Sequence, residues 1–423
     1  MHYLVAIWDG GGTVPAELGV VRQLVAAGHT ATVLADPSVR DDVVAVGAEF
    51  RSWDRAPHRR SSALEDDLFR DWEISNPVAL LGVLRDRMIT GPAAAFATDV
   101  RAALAARPAD AALVSSTLLG AMVGAEAAGV PVGVLVPNCY PRPADGLPPF
   151  GLGLAQGRTP LGRLRDRLLS ALPARLWAKG LPALNAARGE HGLSPLSEVW
   201  EQWDRAARVL VLTSPAFDYE AERLPGNVVY TGPVLDDPAW ATDDVALPPG
   251  DAPLVVVGLS STYMQQADLL RRIVAALDDL PVRALVTTGQ SVDPAEVPGT
   301  ARVRVVRSAP HSRLFGEAAV VVTHAGHGTL LKALAAGVPA VCVPMGRDQG
   351  DNVTRAARHG AVVRLKPTAS VPAVRDAVRA VLDDPRYRER ARALGARLRE
   401  DADSGALLRE VEAVAGNGAT VRA

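Results

Sequence analysis

Apolar residues come along this chain in short continuous runs, each followed by a turn and then by apolar residues at helical spacing. Tyr3 to Trp8 is a run of strand length, Asp9 to Gly12 a turn, and Glu17 to Ala27 a helix with Leu18, Val21, Leu24 and Val25 on one face. Gly28 caps it, and Thr30 to Ala35 reads as the next strand. Ala111 to Ser115 and Val130 to Val136 follow as strands with a helix over Leu118 to Ala128 between them, and Arg208 to Thr213 ends the series. Strands that are apolar throughout and separated by helices belong to a parallel sheet buried on both faces.

The segment from Thr231 to Pro253 is rich in proline and acidic residues and lacks periodicity, as an interdomain linker does. Beyond it the rhythm restarts, with strands at Leu254 to Gly258, Arg283 to Thr287, Val303 to Arg307, Val320 to Thr323 and Ala340 to Val343, and helices at Ala267 to Leu277 and Thr329 to Ala336. From Val371 to Val414 the pattern is mostly helical. The expected architecture is α/β: two Rossmann-like, doubly wound domains facing across a cleft. Residues 1–231 would form the first domain and 232–402 the second, with 403–423 packing back on the first domain.

Length and composition narrow the chemistry. At 423 residues the chain suits two domains, and 45 basic against 47 acidic residues leave no excess of charge for nucleic acid. Lysine occurs only at Lys179, Lys332 and Lys366, which with the abundant alanine and arginine suggests a high-GC genome. Cys139 and Cys342 read as free thiols of a cytoplasmic protein. The amino terminus lacks a basic signal region, and the uncharged run from Ala111 to Ala125 is too short to span a bilayer.

The densest candidate chemistry lies between Val320 and Asn352. A strand ends at Thr323, the turn His324, Ala325, Gly326, His327 and Gly328 follows, and a helix begins near Thr329. Unpaired amides at a helix start attract anions, small residues let a diphosphate approach, and His324 can donate a hydrogen bond. This stretch resembles the nucleotide-sugar signature of the inverting GT-B glycosyltransferases that include plant and bacterial natural-product enzymes. The match is ordered: the strand, His324, the glycine turn, Gly337, Pro339, Asp348, Gln349 and Asn352. The resemblance implies that His324 and the turn at Gly326 to Thr329 bind the donor diphosphate and that Asp348 and Gln349 bind sugar hydroxyls. Ser260, Ser261 and Thr262 resemble the family's hydroxyl-rich loop near the diphosphate, and Ser308, Ala309 and His311 its loop facing the nucleobase. The likeness spans nearly the whole chain.

Departures from the family pattern matter as much. Lys332 stands where many members have a glutamate on the ribose, so it is assigned to the nucleobase and ribose region. Members usually carry a general-base histidine in the turn after the first strand, held by an aspartate about 100 residues later. Here Gly12 or Thr13 occupies the first position and Ser115 the second. Asp9, at the end of the first strand, is the nearest ionisable base, and Asp9, Thr13 and Ser115 are taken together as the catalytic candidates. Against Asp9 stands a role in capping the turn, and His58, Glu65, Asp66 and Asp67 are alternative bases.

Other readings follow from spacing. GGGTVP lacks the GxGxxG fingerprint, so a nicotinamide enzyme is disfavoured, and no third ligand accompanies His324 and His327, so no metal is expected. No cofactor is expected beyond the nucleotide sugar as co-substrate. The leucines at 161, 164, 168, 172 and 176 form one helical stripe among Arg163, Arg165, Arg167 and Arg175, read as a core-facing helix with a solvated basic face. Trp53, Trp72 and Phe150, with the loop Tyr140 to Leu154, would suit a hydrophobic acceptor. The expected function is transfer of a sugar from a UDP- or dTDP-sugar to a hydroxyl of a small natural product by a monomer or homodimer without integral membrane association. The alternatives are a lipid-acceptor cell-wall-type transferase and an inactive donor-binding auxiliary protein.

Overall fold

The computed structural model describes residues 1–421 apart from 62, 75, 239–240 and 242–244. Thirteen strands appear among them: β1 His2–Ala6, β2 Thr30–Ala35, β3 Glu49–Ser52, β4 Ala111–Ser115, β5 Val132–Val136, β6 Arg208–Val211, β7 Val228–Tyr230, β8 Leu254–Gly258, β9 Arg283–Thr287, β10 Val303–Val306, β11 Ala318–Thr323, β12 Ala340–Cys342 and β13 Val362–Arg364. The first seven form one parallel sheet in the order β3-β2-β1-β4-β5-β6-β7, the other six a second in the order β10-β9-β8-β11-β12-β13. In each sheet the order reverses beside the first strand, which opens a crevice at the carboxyl ends of β1 and β4 and of β8 and β11.

Strand alternation divides each core into two layers. Tyr3, Val5 and Ile7 pack on one face of the first sheet and Leu4 and Ala6 on the other. Val255 and Val257, against Leu254 and Val256, do the same in the second. Each such aliphatic side chain withdrawn from water stabilises the fold by about 1.5 to 3 kcal/mol. The short strands β3, β7 and β13 escape the sequence pattern because they are edge strands of only 4, 3 and 3 residues. The carboxyl-terminal helix Ala406–Val421 lays Leu407, Val411 and Val414 on the first domain. Its Glu412 bonds His29 at 3.0 Å, and His29 meets the Tyr3 ring edge-on. His29 therefore serves packing.

The leucine-striped helix departs from expectation. Along Pro160–Ala178, Leu161, Leu164 and Leu168 are 80%, 52% and 64% exposed, so this part of the stripe faces solvent instead of the core. Arg165 donates to the Ala155 carbonyl and Arg167 pairs with Asp145, which ties the basic face to neighbouring loops. The spacing was helical, but which face is buried depends on neighbours that a single helix does not encode. Among the described residues no helix is long and apolar enough to cross a membrane.

One helix fastens the two domains together. From Gln349–Arg358, Arg355 pairs with Asp218 at 2.6 Å with both side chains 1% exposed, and Arg358 reaches the carbonyls of Ala216 and Phe217. Asp351 accepts from the Gly151 amide at 2.8 Å, and burial pushes its carboxyl up to about 6. Cys139 and Cys342 are buried free thiols.

Candidate functional site

At the head of the second sheet, β11 ends in a tight turn. The Thr323 hydroxyl accepts from the Ala325 amide at 3.2 Å, and Ala325 sits at φ 68° in the left-handed region. The helix His327–Ala335 then starts at Gly326 with no side chain capping it, so its first-turn N–H groups point into the crevice. His327 and Gly328 thus belong to the helix, which begins two residues earlier than the pattern indicated. His324 stands beside these amides, 8% exposed, with its Nδ1 lacking a partner. Burial lowers its imidazole to about 4 against the opposing pull of Asp348, so the ring is neutral at pH 7. A neutral donor beside a row of amides is an arrangement that can hold an anion without a formal charge of its own.

His327 points away from that site. Its Nε2 lies 3.0 Å from Thr213 Oγ1 of the first domain and its ring meets Phe217 edge-on, so its side chain joins the domains while its amide remains at the helix start.

Asp348 is the residue on which both domains converge. Its carboxylate accepts from Asn138 Nδ2 of the first domain and from Asn352 Nδ2 of its own helix, each at 2.7 Å. Gln349 is 2% exposed, and its amide oxygen accepts from Met345 and Gly346, closing the loop that carries Asp348. Arg347, at φ 53°, reaches across the cleft to Asp71 at 2.6 and 3.0 Å and to Thr262 Oγ1 at 2.8 Å. Beside that pair Trp72 and Tyr263 meet edge to face at 5.3 Å. Sequence reasoning passed over Asn138, Arg347 and Asp71, whose pairings join positions 85 to 276 residues apart.

The other donor candidates gather around this centre. The Ser260 and Thr262 hydroxyls are 3.0 Å apart in the loop after β8, and Ser261 borders the first-domain turn. His311 lies beneath Gly258, bonds Thr287 Oγ1 at 3.1 Å and stacks on Phe315. Burial lowers its imidazole to about 4. Ala309 is buried in the core beside it, and Ser308 is partly exposed at the rim. Lys332 Nζ bonds Asp237 at 2.8 Å, and Asp237 also accepts from Ser312 at 2.6 Å. Burial would raise the Asp237 carboxyl, but Lys332 and Ser312 outweigh it and leave it lowered. Lys332 thus anchors the linker.

In the first domain, Asp9 holds the glycine turn. Its oxygens accept from the Gly11 amide at 3.1 Å and the Ser38 hydroxyl at 2.8 Å, and Arg59 lies 3.4 Å away. This is the turn-capping arrangement weighed against a base. Thr13 precedes the helix Val14–Ala26 and Ser115 ends β4, 2% exposed. Gly11, at φ 68°, packs so closely on Thr262 that an added Cβ would lie 2.3 Å from its methyl group. The two turns therefore face one another. His58 turns its ring to the Ala56 carbonyl, Asp66 accepts from Ser61, and Asp67 caps Phe69 and Arg70, while Glu65 is exposed. Trp53 is a core residue that donates to the Ile7 carbonyl, and Phe150 packs against the second domain's core. Among the described residues no three His, Cys, Asp or Glu side chains are grouped to hold a metal ion.

The pattern of the UDP-glucoronosyl and UDP-glucosyl transferase family matches residues 200–410, the half that contains the His324 turn and Asp348. A 4'-demethylrebeccamycin synthase from Lentzea aerocolonigenes is 30% identical over 409 residues, covering 94% of each chain. The chain belongs to this glycosyltransferase family. Within it, the oleandomycin glycosyltransferase of Streptomyces antibioticus is 27% identical over 92% of this chain and 85% of its own. Of the solved structures, the calicheamicin glycosyltransferase CalG4 superposes with a TM-score of 0.76 at 24% identity over 98% of both chains, which gives the same two-domain GT-B fold. The expectations of a two-domain parallel fold and of an antibiotic-type glycosyltransferase both hold.

Proposed function

We propose that this glycosyltransferase moves a sugar from a UDP- or dTDP-sugar to a hydroxyl of a small hydrophobic natural product, with inversion at the anomeric carbon. The observation that carries this reading is the neutral His324 beside an uncapped helix start, facing the first domain across the cleft. The amides and the imidazole would meet the charge that gathers on the leaving diphosphate without a resident cofactor or metal. Asp348, oriented by one amide from each domain, would hold sugar hydroxyls, while Gln349 would shape its loop and meet the sugar only if that loop opened. Ser308 and Ala309 would border the nucleobase, and Thr262 and Ser260 the phosphates. The first-domain turn would place the acceptor in line with the bond that breaks.

Calorimetry with UDP, dTDP, GDP and NADP, on wild type and His324→Ala, tests the donor class. Micromolar binding of one pyrimidine diphosphate, weakened in the variant, is the expected result. Absence of binding, or an unchanged affinity in the variant, refutes the assignment. The exposed leucines of Pro160–Ala178 favour one second reading, an acceptor held at a lipid surface. Sedimentation of the protein with anionic vesicles would support it, and a protein that stays in the supernatant argues for the free small acceptor.

A further inference from the structure

The first-domain turn conceals an acid. Glu17, in the first turn of the helix Val14–Ala26, is 0% exposed, and neither carboxyl oxygen completes a hydrogen bond of ordinary geometry. Ala111 and Leu113 of β4 pack on the face that carries this helix, so Ser115, next in the same phase, points toward it as well. Its hydroxyl is turned to the Glu17 carboxyl and favours the charged form, but burial dominates and pushes the group up to about 8. The Thr13 hydroxyl, one turn before Glu17, is also buried without a partner. A buried carboxyl left without hydrogen bonds costs stability, and such groups cluster where chemistry is done.

Several charged groups on the surrounding elements are engaged elsewhere. Asp9 pairs with Arg59, Asp36 accepts from the Asp9 and Arg59 amides, Asp236 of the linker pairs with Arg22, and Glu410 and Glu412 of the carboxyl-terminal helix pair with Arg208 and His29. None of them shifts Glu17, which responds to burial and Ser115. The turn above it abuts Ser261 and Thr262 of the donor domain, which is where an acceptor must present its hydroxyl to the sugar.

We propose that Glu17 takes the acceptor's proton through Ser115, a carboxyl–hydroxyl relay at the head of the first domain. The proposal rests on the sugar-transfer reading above. In the step, the acceptor oxygen bonds to the anomeric carbon while that carbon's bond to the diphosphate oxygen breaks, the electron pair leaving on the diphosphate. The acceptor's proton passes to Ser115 Oγ as the hydroxyl proton of Ser115 passes to the ionised Glu17 carboxylate. Opening of the cleft then returns the proton to water. Glu17 acts through Ser115 and does not itself touch substrate. A carboxylate kept from water binds a proton more tightly than one on the surface, and is the stronger base for it.

The test compares wild type, Glu17→Gln, Ser115→Ala and Asp9→Asn. Transfer from UDP-glucose and dTDP-glucose is measured to two phenols, one of ordinary acidity and a trichlorophenol already ionised near neutral pH. UDP and dTDP binding are followed alongside by calorimetry. For Glu17→Gln the expected result is a fall in kcat/KM of about 10²-fold or more with the ordinary phenol. Its acidic limb in the pH profile should disappear, rates with the ionised phenol should stay near wild type, and nucleotide binding should not change. Should Glu17→Gln fail to fold, Ser115→Ala is read by the same rates with the two phenols. Unchanged rates and pH profile, or an equal loss with both phenols, overturn the relay, and a loss confined to Asp9→Asn moves the base to Asp9. Wild type that binds neither UDP nor dTDP overturns the sugar-transfer reading itself. Binding without transfer to either phenol at any pH overturns the relay and leaves the nucleotide site standing.

Discussion

The two strand–turn–helix units that face each other across the cleft begin alike and end in opposite electrostatics. Both follow a buried parallel strand, both pass through glycine, and both open a helix toward the crevice. In the second domain the buried group is an imidazole that burial keeps neutral by lowering it to about 4. In the first it is a carboxyl that burial keeps neutral by raising it to about 8. One force, exclusion of water, thus holds both groups uncharged at neutral pH, by lowering an imidazole in one domain and raising a carboxyl in the other. The helix start is left uncapped in the second domain. In the first, Asp9 caps the Gly11 amide and packing on Thr262 closes the turn.

The sharpest way to break this comparison is pH. Glu17 is raised in the fold, so its contribution is fully present below its unfolded value of 4.5 and is lost as pH rises toward 8, at about 1.4 kcal/mol per unit. Urea titrations at pH 5 and pH 8 should show wild type losing on the order of 3 kcal/mol more than Glu17→Gln over that range. His324, with His311 and His327, is lowered from 6.5 to about 4, so its contribution is present above 6.5 and lost as pH falls toward 4. The acid side should therefore respond to His324→Gln and be indifferent to Glu17→Gln.

Affinity comes next in size. His324→Ala should weaken binding of the nucleoside diphosphate by roughly 1 to 3 kcal/mol, the worth of a hydrogen bond to a charged group, and Glu17→Gln should leave it unchanged. Isothermal calorimetry decides both. A smaller effect is expected where the turns touch: Gly11→Ala forces a Cβ into Thr262 from a left-handed backbone. It should cost about 1 to 2 kcal/mol, read as a lowered melting temperature. Asp71→Asn should do least, about 0.5 to 1 kcal/mol, because the Arg347–Asp71 pair is partly open to water at 32% and 14%. It should raise KM for the donor with little change in kcat.

The second-domain site was legible in the sequence because its parts lie within one strand, turn and helix. His324, the glycine turn, Asp348 and Gln349 are separated by a single βαβ passage, and their spacing alone brings them to the head of β11. The doubly wound architecture was legible for a similar reason, since strands buried on both faces write continuous apolar runs. The exposure of Leu161, Leu164 and Leu168 was not, for helical spacing fixes a stripe without saying what covers it. Nor were the outward turn of the His327 ring to Thr213, the Lys332–Asp237 pair, or the Asn138 amide on Asp348, each joining residues 95 or more apart. Glu17 shows the division most plainly. By itself it is an acidic residue in the first turn of a helix, where a carboxylate is ordinarily exposed and ionised. Only the packing of that helix on β4, which removes water from the carboxyl and leaves Ser115 beside it, raises its affinity for a proton. The sequence by itself determined the strands, the helices and the glycine turn after β11, which arise from neighbours along the chain. Tertiary structure decided protonation and partnership, which arise from the solvent and charges that distant segments exclude or supply.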